Sequence, residues 1–215
     1  MPDTSISARA IELRTAGPGR PFRIPDSNET VELASLHNDS LTGATTALVR
    51  FPGTWTRSIA GHYLAAEDFV VLAGGLHIDD VAYGTKSWGY LARGHRRGHS
   101  RADQDGAIAL AWFDRMPRWV SGGHHIPDRP SCHRALDRIV PSAIDLSCPL
   151  PVPGEQLHRD DRVTLWLTDG VPANVEMPQR CEILGLDTWQ WLRVPAGTMT
   201  SAVSGPCLLR EENAS

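Results

Sequence analysis

The chain has 215 residues and a mass of 23.5 kDa, with 41% hydrophobic and 21% charged residues and a formal charge of −4. This is the composition of a globular protein long enough to bury a core, and it excludes a disordered or collagen-like chain. The acidic balance argues against nucleic acid as a partner, and no apolar run approaches the ~18 residues of a membrane helix.

The segment from Met1 to Ile6 has neither a charged nor an apolar leader pattern, so a cytoplasmic protein without membrane attachment is expected. Cys132, Cys148, Cys181 and Cys207 form no C-x-x-C pair and read as reduced thiols. Residues 1–40 read as an N-terminal arm whose strands, clearest at Val31–Leu36, pair across the unit or across a dimer. Residues 41–115 hold short apolar runs at 46–51, 69–72, 75–78, 87–91 and 107–113. Residues 116–149, rich in Pro, Gly and His, read as a linker or crossing loop with one short helical piece near His133–Ile139. Residues 150–211 return to strand-like runs at 163–167, 189–194 and 206–209. With 19 Gly and 16 Pro punctuating these runs, the predicted fold is all-β, a sandwich or barrel.

An internal echo divides this β chain. Trp88 is followed six residues later by Gly94, and Trp191 six residues later by Gly197. Each segment then runs to another glycine, Gly106 or Gly205, and a closing apolar strand. The pattern predicts two copies of one β unit.

The first copy contains Gly61-His62-Tyr63-Leu64-Ala65-Ala66-Glu67, with Gly74 after an apolar strand. This stretch resembles the first motif of the cupin family, G-x5-H-x-H-x3–4-E-x6-G. The region from Gly84 to Gly94 and beyond resembles the second motif, G-x5-P-x-G-x2-H, and Val194-Pro195-Ala196-Gly197 echoes its turn. The whole is similar to a small bicupin and to the cupin-like domains of anti-sigma factors. The resemblance implies two jelly-roll barrels, the first functional and the second degenerate.

In cupins, two His and a Glu projecting into the barrel bind a metal. Such a mixed N/O set suits Fe, Mn, Zn or Ni with coordination positions left open. Here His62 and Glu67 keep family positions, but Ala60 stands at the first His and Arg97 at the His of the second motif. His95, Arg97 and His99 share strand parity, so His95 or His99 could complete a metal set with His62 and Glu67. The resemblance then implies a metal-dependent dioxygenase or lyase. The alternative has no cofactor. Arg97 points into the barrel, pairs with Glu67 or grips a substrate carboxylate, and His62 acts as general acid or base in a cyclase or isomerase. A third reading is a non-catalytic module that senses a small molecule or a metal. In each case the partner is a small molecule, anionic in the cofactor-free version, and the chain is expected to pair as a homodimer.

Trp88, Tyr90, Trp112 and His77 are candidate substrate contacts, since ligand pockets are apolar with a few placed polar groups. The basic run Arg93–Arg101 reads as solvated loop ends. His124, His125, His133 and Cys132 match no zinc spacing of fixed geometry. In the second copy, Glu176 and Glu182 are the acidic candidates and Thr200 stands where the motif has His, so that copy is expected to be structural.

Overall fold

The computed structural model describes residues 10–123, 125–136, 148–150, 152 and 154–213. The described residues are all β. They fall into two compact units, one over 17–136 and one that joins the N-terminal residues up to 16 to those beyond 136. In chain order the strands are β1 (Ala10–Glu12), β2 (Arg20–Phe22), β3 (Val31–Asn38), β4 (Thr45–Phe51), β5 (Thr56–Arg57), β6 (Gly61–Tyr63), β7 (Glu67–Ile78), β8 (Val81–Tyr83), β9 (Ser87–Leu91), β10 (Ser100–Phe113), β11 (Trp119–Ser121) and β12 (Cys132–Ala135). There follow β13 (Gly154–Arg159), β14 (Val163–Val171), β15 (Glu176–Met177), β16 (Cys181–Gly185), β17 (Gln190–Val194), β18 (Thr198–Met199) and β19 (Val203–Glu212).

The 17–136 unit is built on an antiparallel sheet in the order β12-β9-β7-β10-β4-β3-β2, with β5 and β8 added to β10 and β7. A β6–β11 ribbon completes it. Alternation along the strands separates two faces. Phe69 and Val71 of β7, Ala107, Ala109 and Ala111 of β10, and Ala47 and Val49 of β4 share one apolar cluster. The intervening Val70, Leu110, Trp112 and Leu48 are buried on the opposite face. The long strands β7 and β10 shift register at Gly74 and Gly106, both with positive φ. A Cβ on Gly74 would lie 2.0 Å from the Gly106 carbonyl oxygen, so this close backbone approach requires glycine.

The second unit forms a sheet in the order β1-β17-β16-β19-β14-β13, with a β15–β18 ribbon. Its interior is filled by Trp166, Met177, Cys181, Ile183, Leu192, Val194, Cys207 and Leu209.

The boundaries drawn by strand pairing differ from the sequence division at 41, 116 and 150. β2 and β3 extend the sheet of the 17–136 unit, so they are not a separate arm. β11 pairs with β6 and β12 with β9, so residues up to 136 are sheet and not linker. The expected helical piece is corrected by β12, which takes in His133 to Ala135, and its remainder from 137 lies outside the described residues. The four cysteines are free thiols. Among the described residues no helix is long and apolar enough to cross a membrane.

Candidate functional site

The 17–136 unit encloses a cavity of about 340 Å³ between β2–β7, β10 and the loop that carries Arg97. Its existence follows from residue size. The inward positions of β10 and β4 are mostly small, Ala109, Ala111, Ala47, Val49 and Thr45, so opposing strands leave a void that larger side chains would fill. Phe51, Trp55, Phe69 and Phe113 supply an aromatic wall. Phe51 and Trp55 meet edge-to-face at 4.9 Å, as do Tyr63 and Phe113 at 5.5 Å.

Four polar side chains gather at one end. Tyr63 comes from β6, Glu67 from the start of β7, Arg57 from β5, and Arg97 from the turn after Gly94. Arg97 is placed by its backbone, which bridges Gly61 in both directions at 2.8 and 3.0 Å. Its Nη1 lies 2.5 Å from Glu67 Oε2, and its guanidinium sits 4.6 Å from the centroid of the Tyr63 ring. The contact to Glu67 is close but not aligned as a hydrogen bond, so that oxygen has an ionic partner and no directed donor.

Arg57 stacks 4.1 Å over the Trp119 ring and 5.9 Å from the Tyr63 ring. It donates from Nη2 to Ser100 Oγ at 3.3 Å and hydrogen-bonds to the Tyr63 hydroxyl. Trp119 is anchored in turn by its N–H, which donates to Asp26 Oδ2 at 2.6 Å. Burial, followed by the Arg97 charge, lowers the Arg57 pKa. Burial raises the Tyr63 pKa against the pull of both arginines, so the phenol keeps its proton at neutral pH. The Nε atoms of Arg57 and Arg97 and the Nε1 of Trp55 are buried and lack a hydrogen-bond partner among the described residues.

Of the residues picked from sequence, Glu67, Arg97 and His77 reach the cavity wall. His77 Nε2 is 2.7 Å from Asp103 Oδ1 on β10. His62 does not line the cavity. Tyr63 faces inward, so its strand neighbour points away, and the His62 ring lies 5.1 Å from that of His125. Burial and then the nearby His125 lower the His62 pKa. The shared parity of His95, Arg97 and His99 also gives way, because residues 92–99 form a turn and an isolated bridge, not a strand. His99 is exposed, and His95 is half-buried outside the cavity lining. Trp88, Tyr90 and Trp112 are buried but on the opposite face of the sheet, so they are not substrate contacts of this cavity. Cys132 and His133 are exposed on β12, and His124 lies outside the described residues.

The residues present do not fit a divalent metal. His62, Glu67, His95 and His99 do not converge, and among the described residues no three His, Cys, Asp or Glu side chains come together. Two guanidinium groups stand beside Glu67, the one family ligand on the cavity wall, and oppose a dication.

Arg57, Tyr63 and Trp119 escaped the sequence reading because none holds a metal-ligand position of the cupin motifs. The available signal was parity: Trp55 and Arg57 sit two apart beside a two-residue strand, with Tyr63 one residue from the motif position.

No protein-family model matches the sequence, and neither does a curated protein. Solved structures do. A protein of Nostoc punctiforme, provisionally assigned as a dioxygenase, aligns with a TM-score of 0.70 at 15% identity, over 96% of this chain and 82% of its own. A provisionally assigned glyoxylate-induced protein of Pseudomonas aeruginosa aligns at 0.61 and 10% identity, over 97% and 90%. A cupin 2 conserved barrel domain protein of Leptotrichia buccalis aligns at 0.57 and 9%, over 96% and 97%. These likenesses establish the class of fold, an all-β cupin. The chain therefore has the cupin fold that the motif around His62 and Glu67 implied.

Proposed function

We propose that the 17–136 unit is a metal-independent cupin that binds a small, largely apolar molecule and moves a proton on it, as an isomerase or cyclase does. The observation that carries this reading is the Glu67–Arg97 pair on the wall of an apolar cavity, with Arg57 and Tyr63 beside it. The Glu67 carboxylate takes a proton from the carbon next to a carbonyl. The electron pair of that C–H bond moves onto the carbonyl oxygen, giving an enolate. The positive charges of Arg57 and Arg97 on the cavity wall stabilise this oxygen. Return of that proton from Glu67 to the opposite face of the same carbon, or, where a C=C bond is conjugated with the enolate, to the far carbon of the dienolate, completes an isomerisation and restores the Glu67 carboxylate. No redox partner is needed. His62 has no part in this version, because it lies outside the cavity lining.

The metal-dependent dioxygenase or lyase reading requires ligands that converge, and the non-catalytic sensor requires binding without exchange. The test uses protein purified without chelator. Its metal content is measured by mass spectrometry, and deuterium exchange at the acidic carbon of phenylacetone and of phenylpyruvate is followed by NMR in D2O. The expected result is faster exchange on either probe, unchanged by chelator dialysis and lost in Glu67→Gln. Stoichiometric metal whose removal abolishes exchange, or no acceleration on either probe, overturns the proposal.

A further inference from the structure

The buried charges on the cavity wall do not balance. Arg57 and Arg97 are 3% and 4% exposed, and the carboxylate that faces them on the cavity wall is Glu67. Two cations against one anion leave one positive charge over. The remaining charged groups do not cancel it within the cavity. Arg20 also lines the cavity but is exposed, and His77 is engaged by Asp103. Asp26 feels the Arg57 charge, but it stands off the cavity lining on the solvent side of Trp119, where water screens it. An unbalanced charge is costly in an apolar enclosure, and a ligand anion removes that cost.

The donors fit such a ligand. A guanidinium stacked on aromatic rings, as Arg57 is on Trp119, keeps its edge N–H groups for an acceptor in the ring plane. Arg57 and Arg97 both lie on the cavity wall, and Trp55 of the aromatic wall directly precedes β5, the strand that carries Arg57. Size and shape add a second constraint. At about 340 Å³ the cavity lies at the small end of ligand pockets, with room for a small molecule. The edge-to-face pairs Phe51–Trp55 and Tyr63–Phe113 leave ring faces and edges that suit another aromatic ring.

We infer that the ligand of this cavity is a monoanionic arylalkyl carboxylate, its acid group beside the guanidinium charges of Arg57 and Arg97 and its ring against the aromatic wall. This names the substrate class of the metal-independent reading above and rests on it. The charge count makes it testable with three probes of matched body: 3-phenylpropionate (one negative charge), benzylmalonate (two) and 3-phenylpropan-1-ol (none).

Isothermal titration of the full chain is expected to give 3-phenylpropionate at least tenfold tighter binding than the alcohol and tighter binding than benzylmalonate. Glu67→Gln raises the surplus to two positive charges and is expected to make benzylmalonate the tightest of the three. Arg57→Gln removes the surplus and is expected to erase the preference for acid over alcohol, which keeps the test decisive if Glu67→Gln fails to fold. Equal binding of acid and alcohol, an unchanged order in the variants, or no binding of any probe overturns the inference. Catalysed exchange on phenylacetone would still stand in those cases, so failure of the ligand class is distinguishable from failure of the proton-transfer reading.

Discussion

The two units use one backbone plan and fill it differently. In the 17–136 unit the N–H of Gly94 donates to Tyr63 O and that of Arg97 to Gly61 O. In the second unit Gly197 donates to Met177 O and Thr200 to Val175 O, and both glycines have positive φ, 77° and 70°. Strand register extends the match, pairing Glu67 with Cys181, Ala111 with Leu209 and Ala47 with Trp166. Tyr63, Glu67 and Arg97 therefore correspond to Met177, Cys181 and Thr200. Where the first unit has two alanines beside a charged cluster, the second has Trp and Leu beside Met, Cys and Thr, all buried. The same scaffold yields a cavity or a solid core according to side-chain volume at a handful of inward positions.

Reciprocal substitutions break this comparison most directly. Leu209→Ala, in the packed interior, is expected to cost about 3 kcal/mol of stability, as buried leucine truncations do. Ala111→Leu, its counterpart, should cost about 1 kcal/mol or less because it grows into open volume, while abolishing binding of 3-phenylpropionate. Denaturant melts and titration read both. A cost above about 3 kcal/mol for Ala111→Leu would mean the cavity is already filled.

Arg97→Met removes the ionic partner 2.5 Å from the largely buried Glu67 and should destabilise by roughly 3 kcal/mol. Adding Glu67→Gln should recover most of that loss in the same melts. The corresponding change in the second unit is milder. Thr200 donates to Pro172 O at 2.7 Å and accepts from Val175 N at 3.2 Å, so Thr200→Val is expected to cost about 1 kcal/mol and leave ligand binding unchanged.

The smallest effect is a pH dependence in the second unit. Burial raises the pKa of Glu211, against the hydrogen bond donated by Trp166 Nε1 at 3.0 Å and the Arg159 charge. A raised folded value means that the contribution of Glu211 is fully present below the unfolded pKa, near 4.3, and is lost as pH climbs through the folded one. The difference in stability between wild type and Glu211→Gln should move in that direction over that window. A flat difference across it would show that Glu211 is ionised as easily folded as unfolded.

The strands and the doubled plan were legible in the sequence because they rest on local pattern. Alternating apolar runs marked β4, β7, β10 and β14, and the Trp-to-Gly spacing marked the turn that places Arg97 and Thr200. Glu67 and Arg97 were legible through the motif, including the pairing that a guanidinium in a ligand position implies. The facing of His62 was not legible. Inward and outward positions on a three-residue strand depend on the ribbon it joins, and β6 is oriented by β11, more than fifty residues away. Arg57 was missed for the same reason. It is brought beside Tyr63 and Trp119 by long-range pairing, which leaves no local periodicity to read. Trp88, Tyr90 and Trp112 were read as candidate substrate contacts; they are buried, but on the face of the sheet away from the cavity, which local pattern does not reveal.

The stripe of Ala107, Ala109 and Ala111 lies on a strand hydrogen-bonded on both sides, to β4 and to β7. A backbone clamped in this way cannot slide to accommodate a changed guest. Methyl groups added along the stripe shorten the available space in discrete steps, while the arginines, on β5 and a separate turn, stay in place. Length selection and charge selection thus reside on different segments of chain. A lineage, or an engineer, can retune how long a guest is accepted without touching how its acid group is held.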